Sequence, residues 1–313
     1  MKSHQLAYRS KQVKHLAEQF GFQFCGIAKA DRLSEEEPLL EEWLKRENHG
    51  TMAYMENHFE KRLDPRILVP GTQSVVTLMY NYYPETEMAT DYKIARYAYG
   101  RDYHKVIKKK LKNLMSGIRE SLGQVEGRFF VDSAPVMERV WAEKSGLGWR
   151  AKNTLLINKQ AGSYYFLAVM LLDIELEPDA PVQTDHCGTC TRCIDACPTD
   201  AILPDRTLNA QKCISYLTIE LKSEIEPAFR TQMEDWIFGC DICQEVCPWN
   251  RFSQPHKEPQ FNPKPELRSM NSEKWEALQA EEFDVLFQGS AVKRTGYDGL
   301  KRNITFVKHG KDQ

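Results

Sequence analysis

Long apolar runs are missing from these 313 residues. None approaches the ~20 residues that a membrane-crossing helix needs, so no membrane span is expected. The N-terminus, Met1 to Leu6, has neither the apolar core of a secretory signal nor paired arginines, and a cytoplasmic location is expected. An excess of one charge is missing too: Lys+Arg is 42 against Asp+Glu 44, a net charge of -2. A protein that coats nucleic acid without selectivity should be basic overall, so that class is disfavoured, while a local basic patch stays open. There is no Gly-rich phosphate loop and no GxGxxG after a strand, hence no legible nucleotide, nicotinamide or flavin site. Cysteine is almost absent upstream, where only Cys25 precedes residue 187. Cys25 lies in a strand-like run and reads as a small buried hydrophobe.

What is present is average for a globular protein, with 42% hydrophobic and 27% charged residues. Residues 3–20 carry Leu6, Val13, Leu16 and Phe20 at helical spacing, and Phe22 to Ala28 reads as a strand. Residues 31–47 are acidic and helical. Ser74 to Tyr80 and Ile94 to Tyr99 read as strands. Residues 104–122 form an amphipathic helix whose outer face holds Lys105, Lys108, Lys109, Lys110 and Lys112. Phe129 to Val131 reads as a strand, and Ser133-Ala134-Pro135 as the start of a helix. Thr154 to Asn158 and Tyr164 to Ile174 are further strands. Helices mixed with strands imply an α/β or α+β domain. The expected units are 1–178, then a cysteine-rich segment 179–253, then a Pro-rich wrapping segment 254–313 with a basic tail.

Eight of the nine cysteines fall between Cys187 and Cys247. Cytosolic thiols stay reduced, so this density points to metal rather than disulfides. Cys187-x2-Cys190-x2-Cys193-x3-Cys197-Pro198 is followed by Cys213 and then Cys240-x2-Cys243-x3-Cys247-Pro248. This is the two-cluster ferredoxin spacing, in which the fourth Cys of each run ligates the other cluster. One [4Fe–4S] cluster takes Cys187, Cys190, Cys193 and Cys247. The other takes Cys197, Cys213, Cys240 and Cys243, with a helix from Pro227 to Phe238 bringing the chain back. Two four-thiolate zinc sites are the alternative, but zinc gives no reason for a third Cys at x2 or for Cys-Pro after both runs. The CxxxCxxC radical signature is absent, and all eight thiols are used as full ligand sets.

The runs Phe130-Val131-Asp132-Ser133-Ala134-Pro135, Glu143-Lys144-Ser145-Gly146-Leu147-Gly148-Trp149, Cys213-Ile214-Ser215-Tyr216-Leu217-Thr218-Ile219-Glu220, Gly239-Cys240-Asp241-Ile242-Cys243-Gln244 and Cys247-Pro248-Trp249-Asn250-Arg251 resemble the epoxyqueuosine reductases across most of residues 5–307. The resemblance implies an α+β protein: a nitroreductase-like cobalamin-binding domain followed by a ferredoxin-like domain with two [4Fe–4S] clusters, related to the reductive dehalogenases. It implies a tRNA-modifying oxidoreductase that uses cob(I)alamin to reduce epoxyqueuosine to queuosine at the wobble position of tRNAs with a GUN anticodon. A reductant protein, of unknown identity, would feed it, and a monomer is expected.

Asp132 falls on the family's proton donor. From the residues alone an N-cap for the helix at Pro135 is the favoured reading, and the resemblance reverses that order. His58, Arg96, Tyr97, Asn153, Ser163, Ser215, Cys240 and Asp241 lie in family-like strings as cobalamin contacts, beside Asp132. Tyr216, Lys293, Arg294 and Arg302 are carried over as tRNA contacts. The usual B12 string DxHxxG begins at Asp102-Tyr103-His104 but has Ile107 where its Gly should stand, so a His of that motif is not a lower cobalt ligand. Two other readings stay open: a cytoplasmic reductive dehalogenase-like enzyme, and an electron-transfer module without cobalamin.

Overall fold

The structure is a computed structural model and describes residues 2–88 and 90–311. Its strands are β1 (Phe24–Lys29), β2 (Ser74–Asn81), β3 (Lys93–Ile94), β4 (Gly127–Phe130), β5 (Trp149–Arg150), β6 (Leu156–Ile157), β7 (Tyr165–Leu172) and β8 (Trp236–Phe238). The main sheet has the order β1-β2-β7-β4, with every pair antiparallel.

Residues of period two sort the central strands onto two layers. Val76, Leu78 and Tyr80 of β2, with Ala168, Met170 and Leu172 of β7, face the helices Lys2–Gln19 and Tyr103–Leu122, which contribute Val13, Ala17, Ile107, Leu111 and Leu114. Val75, Val169 and Leu171 point the other way, onto Leu40, Leu63, Val140 and Trp141. Both faces are covered, so β2 is buried along its whole length. Cys25 is half-buried at the edge of the first layer, and burial pushes its thiol up to about 12.

A second large core joins parts that lie far apart in sequence. It packs Tyr92 to Tyr99, Ile214 to Ile219 and Trp236 to Phe238 against Trp275, Phe283, Phe287 and Ile304. It crosses both expected boundaries, at 178/179 and at 253/254. The expected wrapping segment is largely helical, with Ser272–Ala277, Ala280–Leu286 and Gly296–Lys311.

Three local expectations are corrected. The run Ile94 to Tyr99 is not a strand: only Lys93–Ile94 pairs, in parallel with β8, and Arg96–Ala98 is a 3-10 turn. The span Pro227 to Phe238 is not a helix but a 3-10 turn, Pro227–Phe229, leading into β8. The helix expected at Ser133 begins at Glu138, after five bend residues. Among the described residues no helix is long and apolar enough to cross a membrane.

Candidate active site and cluster ligands

Asp132 follows β4 and the buried Val131, where the chain leaves the sheet. Its φ is +44°, in the left-handed region that non-glycine residues occupy uncommonly. Its carboxylate is 72% exposed, so the geometry presents it rather than hides it. The helix after it is capped at Met137 with no side-chain bond, so the N-cap reading of Asp132 is overturned.

Two side chains missed in the sequence hold Asp132. The Tyr103 hydroxyl donates to Oδ2 at 2.5 Å. His104 Nε2 lies 3.3 Å from the Asp132 carbonyl oxygen and 3.9 Å from Oδ2. The other ring nitrogen, Nδ1, is 2.8 Å from Asp102 Oδ1. Burial works against the charged ring, but Asp102 and then Asp132 outweigh it and raise the His104 pKa. Glu138 also belongs here. Burial, then the charge of Asp132, pushes its carboxyl up to about 8, and its Oε1 has no hydrogen-bond partner. The buried Nε of Arg62 is likewise bare. The Asp102-x-His104 spacing was a usable signal for the histidine. Nothing local marked Glu138.

An aromatic path leads from Asp132 to the cysteines. Tyr97 lies edge-on to Tyr103 at 6.1 Å and tilted against Phe238 at 6.1 Å. Phe238 ends β8, and Gly239 and Cys240 follow. Gly239 has φ +68°, and a Cβ there would meet the Ala95 Cβ at 2.6 Å, so the turn into Cys240 needs glycine.

The eight cysteines are free thiols and fall into two groups. Cys193 is repelled by Cys247, Cys187 and Cys190. Cys213 senses Cys197, Cys240 senses Cys243 and Cys213, and Cys243 senses Cys213 and Cys197. These are the quartets that the spacing separates, and Cys243 also senses Cys193, so the quartets are neighbours. Among the described residues no three His, Cys, Asp or Glu groups converge on a single-ion site. A cubane carries its irons at separate corners, so its thiolates need no common point. Donors point at the sulfurs, as cluster thiolates require. Trp149 Nε1 lies 3.4 Å from Cys187 Sγ and Ala201 N 3.3 Å from Cys197 Sγ. Backbone N–H groups of Ser215 and Tyr216 serve Cys213, and those of Trp249 and Asn250 serve Cys247. The donor set therefore fits [4Fe–4S] clusters.

Several expected cofactor contacts are internal braces. The Asp241 carboxylate accepts from the Arg96 backbone N–H at 2.7 Å, and the Arg96 guanidinium binds Asp241, Glu245 and Glu87. Burial pushes the Asp241 carboxyl up to about 6, and Arg96 restrains the rise. Asn153 donates to the Cys243 carbonyl at 3.2 Å. Ser163 is tied to Asn250 and Gln244. Ser215 is half-buried beside Cys213, and His58 is exposed with φ +61°.

The expected tRNA residues divide. Arg294 is exposed, forks onto Glu220 and lies over the Tyr54 ring at 6.0 Å, within the field of Asp132. Lys293 is exposed and pairs with Asp284. Tyr216 is in the second core, its hydroxyl bonded to Thr51 N at 2.8 Å, so it offers no surface to a partner. Arg302 is spent on the carbonyls of Leu217 and Leu221, both at 2.8 Å. In the Lys-rich helix, Lys110 pairs with Glu258 at 3.1 Å.

Two family descriptions match the chain: "Epoxyqueuosine reductase QueG, DUF1730" over residues 62–133, and "4Fe-4S double cluster binding domain" over residues 186–250. An epoxyqueuosine reductase of Cyclobacterium marinum is 57% identical over 300 residues, covering 95% of this chain and 96% of that protein. A crystal structure of epoxyqueuosine reductase with an epoxyqueuosine-modified tRNA-Tyr stem loop is 32% identical, with a TM-score of 0.86 over 96% of this chain and 81% of the other. A Bacillus subtilis epoxyqueuosine reductase, whose catalytic aspartate loop is swung out of the active site, is 30% identical, with a TM-score of 0.85 over 96% and 82%. A reductive dehalogenase shares the fold alone, at 14% identity and a TM-score of 0.51 over 98% of this chain and 37% of the other. With the matched family regions and a relative 57% identical along nearly its whole length, the chain belongs to the epoxyqueuosine reductases.

Proposed function

We propose that this protein reduces epoxyqueuosine to queuosine at the wobble position of tRNAs with a GUN anticodon, with a cobalamin held beside Asp132 and two [4Fe–4S] clusters supplying electrons. The reaction takes an epoxide, two electrons and two protons to an alkene and water. The observation that carries the reading is Asp132 itself: an exposed carboxyl in a left-handed backbone conformation, gripped by Tyr103 and His104, and joined through Tyr97 and Phe238 to the strand that delivers Cys240. The upstream sheet is read as the nitroreductase-like cobalamin domain.

A corrinoid carries many amides, and buried polar atoms without partners are what would receive them. Glu138 Oε1, in the field of Asp132, and Arg62 Nε, in the field of Glu138, are such atoms, and Tyr97 also lies in the field of Asp132. When bound, cobalamin would supply a low-valent cobalt able to pass electrons to carbon.

The protein's own residues handle the protons. Tyr103 occupies Asp132 Oδ2, which leaves Oδ1 to protonate the epoxide oxygen as its C–O bond opens. His104, whose hold on a proton Asp102 and then Asp132 strengthen against burial, lies with Nε2 3.9 Å from Asp132 Oδ2, where it can return a proton to that carboxylate. Exposed Arg294, close to Asp132, and Lys293 suit phosphates flanking the base. That a 32% identical relative holds an epoxyqueuosine-modified tRNA stem loop supports tRNA as the substrate.

The test is Asp132→Asn in the cofactor-loaded enzyme, assayed on an epoxyqueuosine stem loop. Turnover should fall on the order of 10²–10⁴-fold while iron and corrinoid content persist. Wild-type turnover would remove Asp132 from the mechanism.

A further inference from the structure

The two cysteine groups differ in depth. Cys213 and Cys240 pack onto the second large core, whereas Cys187 and Cys247 pack onto a small patch built on Trp149 and Trp249. Electrons arriving from outside therefore meet the Cys187/Cys190/Cys193/Cys247 group first. Beside it opens a groove of about 680 Å³ whose wall includes Cys247 and no other cluster cysteine.

The charges on that groove are not balanced at its lip. Glu87 and Glu245 are both taken up by the Arg96 guanidinium, and Lys93 pairs with Glu234 at 3.5 Å. Arg192 and Arg251 line the same groove, are exposed, and have no carboxylate partner among the described residues. Arg192 precedes Cys193, and Arg251 stands four residues after Cys247, stacked over Phe252 at 4.5 Å. Two uncommitted guanidiniums thus flank an opening that ends on a cluster ligand. Guanidiniums recognise carboxylates as planar forks. Electron transfer weakens exponentially with distance, so a donor must seat close to Cys247.

We propose that this groove is the docking site of an acidic one-electron carrier protein of the flavodoxin or ferredoxin class, held by its carboxylates on Arg192 and Arg251. Each encounter oxidises one carrier by one electron and reduces the outer [4Fe–4S] cluster by one. Two encounters supply the pair of electrons that, with two protons, turn the epoxide into alkene and water. The inference rests on the cluster assignment and on the reductase reading, but not on where cobalamin sits. A nucleic acid is the other polyanion that two arginines could hold. It is disfavoured because the exposed arginines in the field of Asp132, Arg139 and Arg294, do not line the groove, and neither do Tyr54 and Glu220, with which Arg294 packs.

The experiment uses holoenzyme and its R192E/R251E variant. Stopped-flow absorbance follows cluster bleaching by a reduced acidic flavodoxin and by a reduced plant-type ferredoxin, at several salt concentrations. Bleaching by dithionite and affinity for the anticodon stem loop are measured alongside. The variant should react with both carriers about tenfold or more slowly at low salt, with a flatter salt dependence. Dithionite bleaching and stem-loop affinity should match the wild type. Unchanged carrier rates overturn the proposal, and so does a loss confined to stem-loop affinity, which would make the groove an RNA contact. The neutral R192Q/R251Q pair guards against damage to cluster assembly: it must react with the carriers at an intermediate rate, and a wild-type rate counts against docking. Turnover of the stem loop by dithionite-reduced wild-type enzyme tests the reductase reading separately.

Discussion

At the scale of single residues, the site is a set of carboxyl groups given different tasks by their surroundings. Asp132 is exposed and held from one side, Asp102 is committed to His104, and Glu138 is withdrawn from water. Tyr103→Phe removes the one hydroxyl on Asp132 Oδ2 and leaves the stacking on Phe166 at 4.1 Å intact. The loss is about 1–1.5 kcal/mol of orientation, so single-turnover rates should drop roughly tenfold with iron content unchanged. Glu138 makes a separate prediction. Its carboxyl, ordinarily near 4.5, lies at about 8 in the folded protein, raised by burial and then by Asp132. Between those values the folded protein keeps a proton that the unfolded chain has released, so stability falls as pH rises through the window. Glu138→Gln cannot ionise, and its urea midpoint should vary less with pH across that range than the wild type's. Identical profiles would show that Glu138 does not hold that proton. Asp132 was legible because a strand end followed by a family-like string marks it. Glu138 was not, because the preceding five bends shift the helix start that would have given it meaning.

At the scale of elements, the chain's last helix, Gly296–Lys311, secures the cysteine segment. Asn303 is fully buried, and its Nδ2 donates to the Thr218 carbonyl at 2.8 Å and the Ile237 carbonyl at 2.9 Å. Thr218 Oγ1 in turn accepts from Gly239 N at 2.9 Å. One amide therefore fastens the helix after Cys213 to the strand before Cys240. Asn303→Leu strips both carbonyls in a buried place, at about 1–3 kcal/mol for each left bare. The thermal midpoint should fall, and iron should be lost first from the cluster that needs Cys213 and Cys240. Loss of iron from both clusters at equal rates would argue against this local role. The same region shows why sequence reading failed there. Phe229, Met233 and Ile237 recur every four residues and imitate a helix face, but Trp236 to Phe238 pairs with Lys93–Ile94, a partner some 140 residues upstream. The strand-like run from Ile94 to Tyr99 does not pair as one, because the Asp241 carboxylate captures the Arg96 N–H that a ladder would use. Long elements carried their own signal: the helix Tyr103–Leu122 and the strands β2 and β7 stand where the periodicity puts them.

At the scale of the molecule, local spacing is what made the cysteines legible, and long-range pairing is what hid the rest. Seven of the eight cluster ligands fall in two runs spaced by three or four residues, whereas Arg96 and Asp241 meet across 145 residues and Tyr216 reaches back to Thr51 across 165. The assembled fold orders the proposed route: groove, outer quartet, inner quartet, then Phe238 and Tyr97 toward Asp132. That order predicts unequal consequences for the two quartets. Cys187→Ser should cost about half the iron, the share of one of two cubanes, and abolish turnover driven by a protein carrier. Dithionite-driven turnover should survive, because a small reductant does not depend on the groove. Cys240→Ser should also cost about half the iron but abolish turnover from either source, since no other ligand joins the strand beside Tyr97. Iron analysis and single-turnover assays with both reductants decide it. If Cys187→Ser and Cys240→Ser lose dithionite-driven turnover equally, the quartets do not act in series, and the inner one has no special claim on the active site.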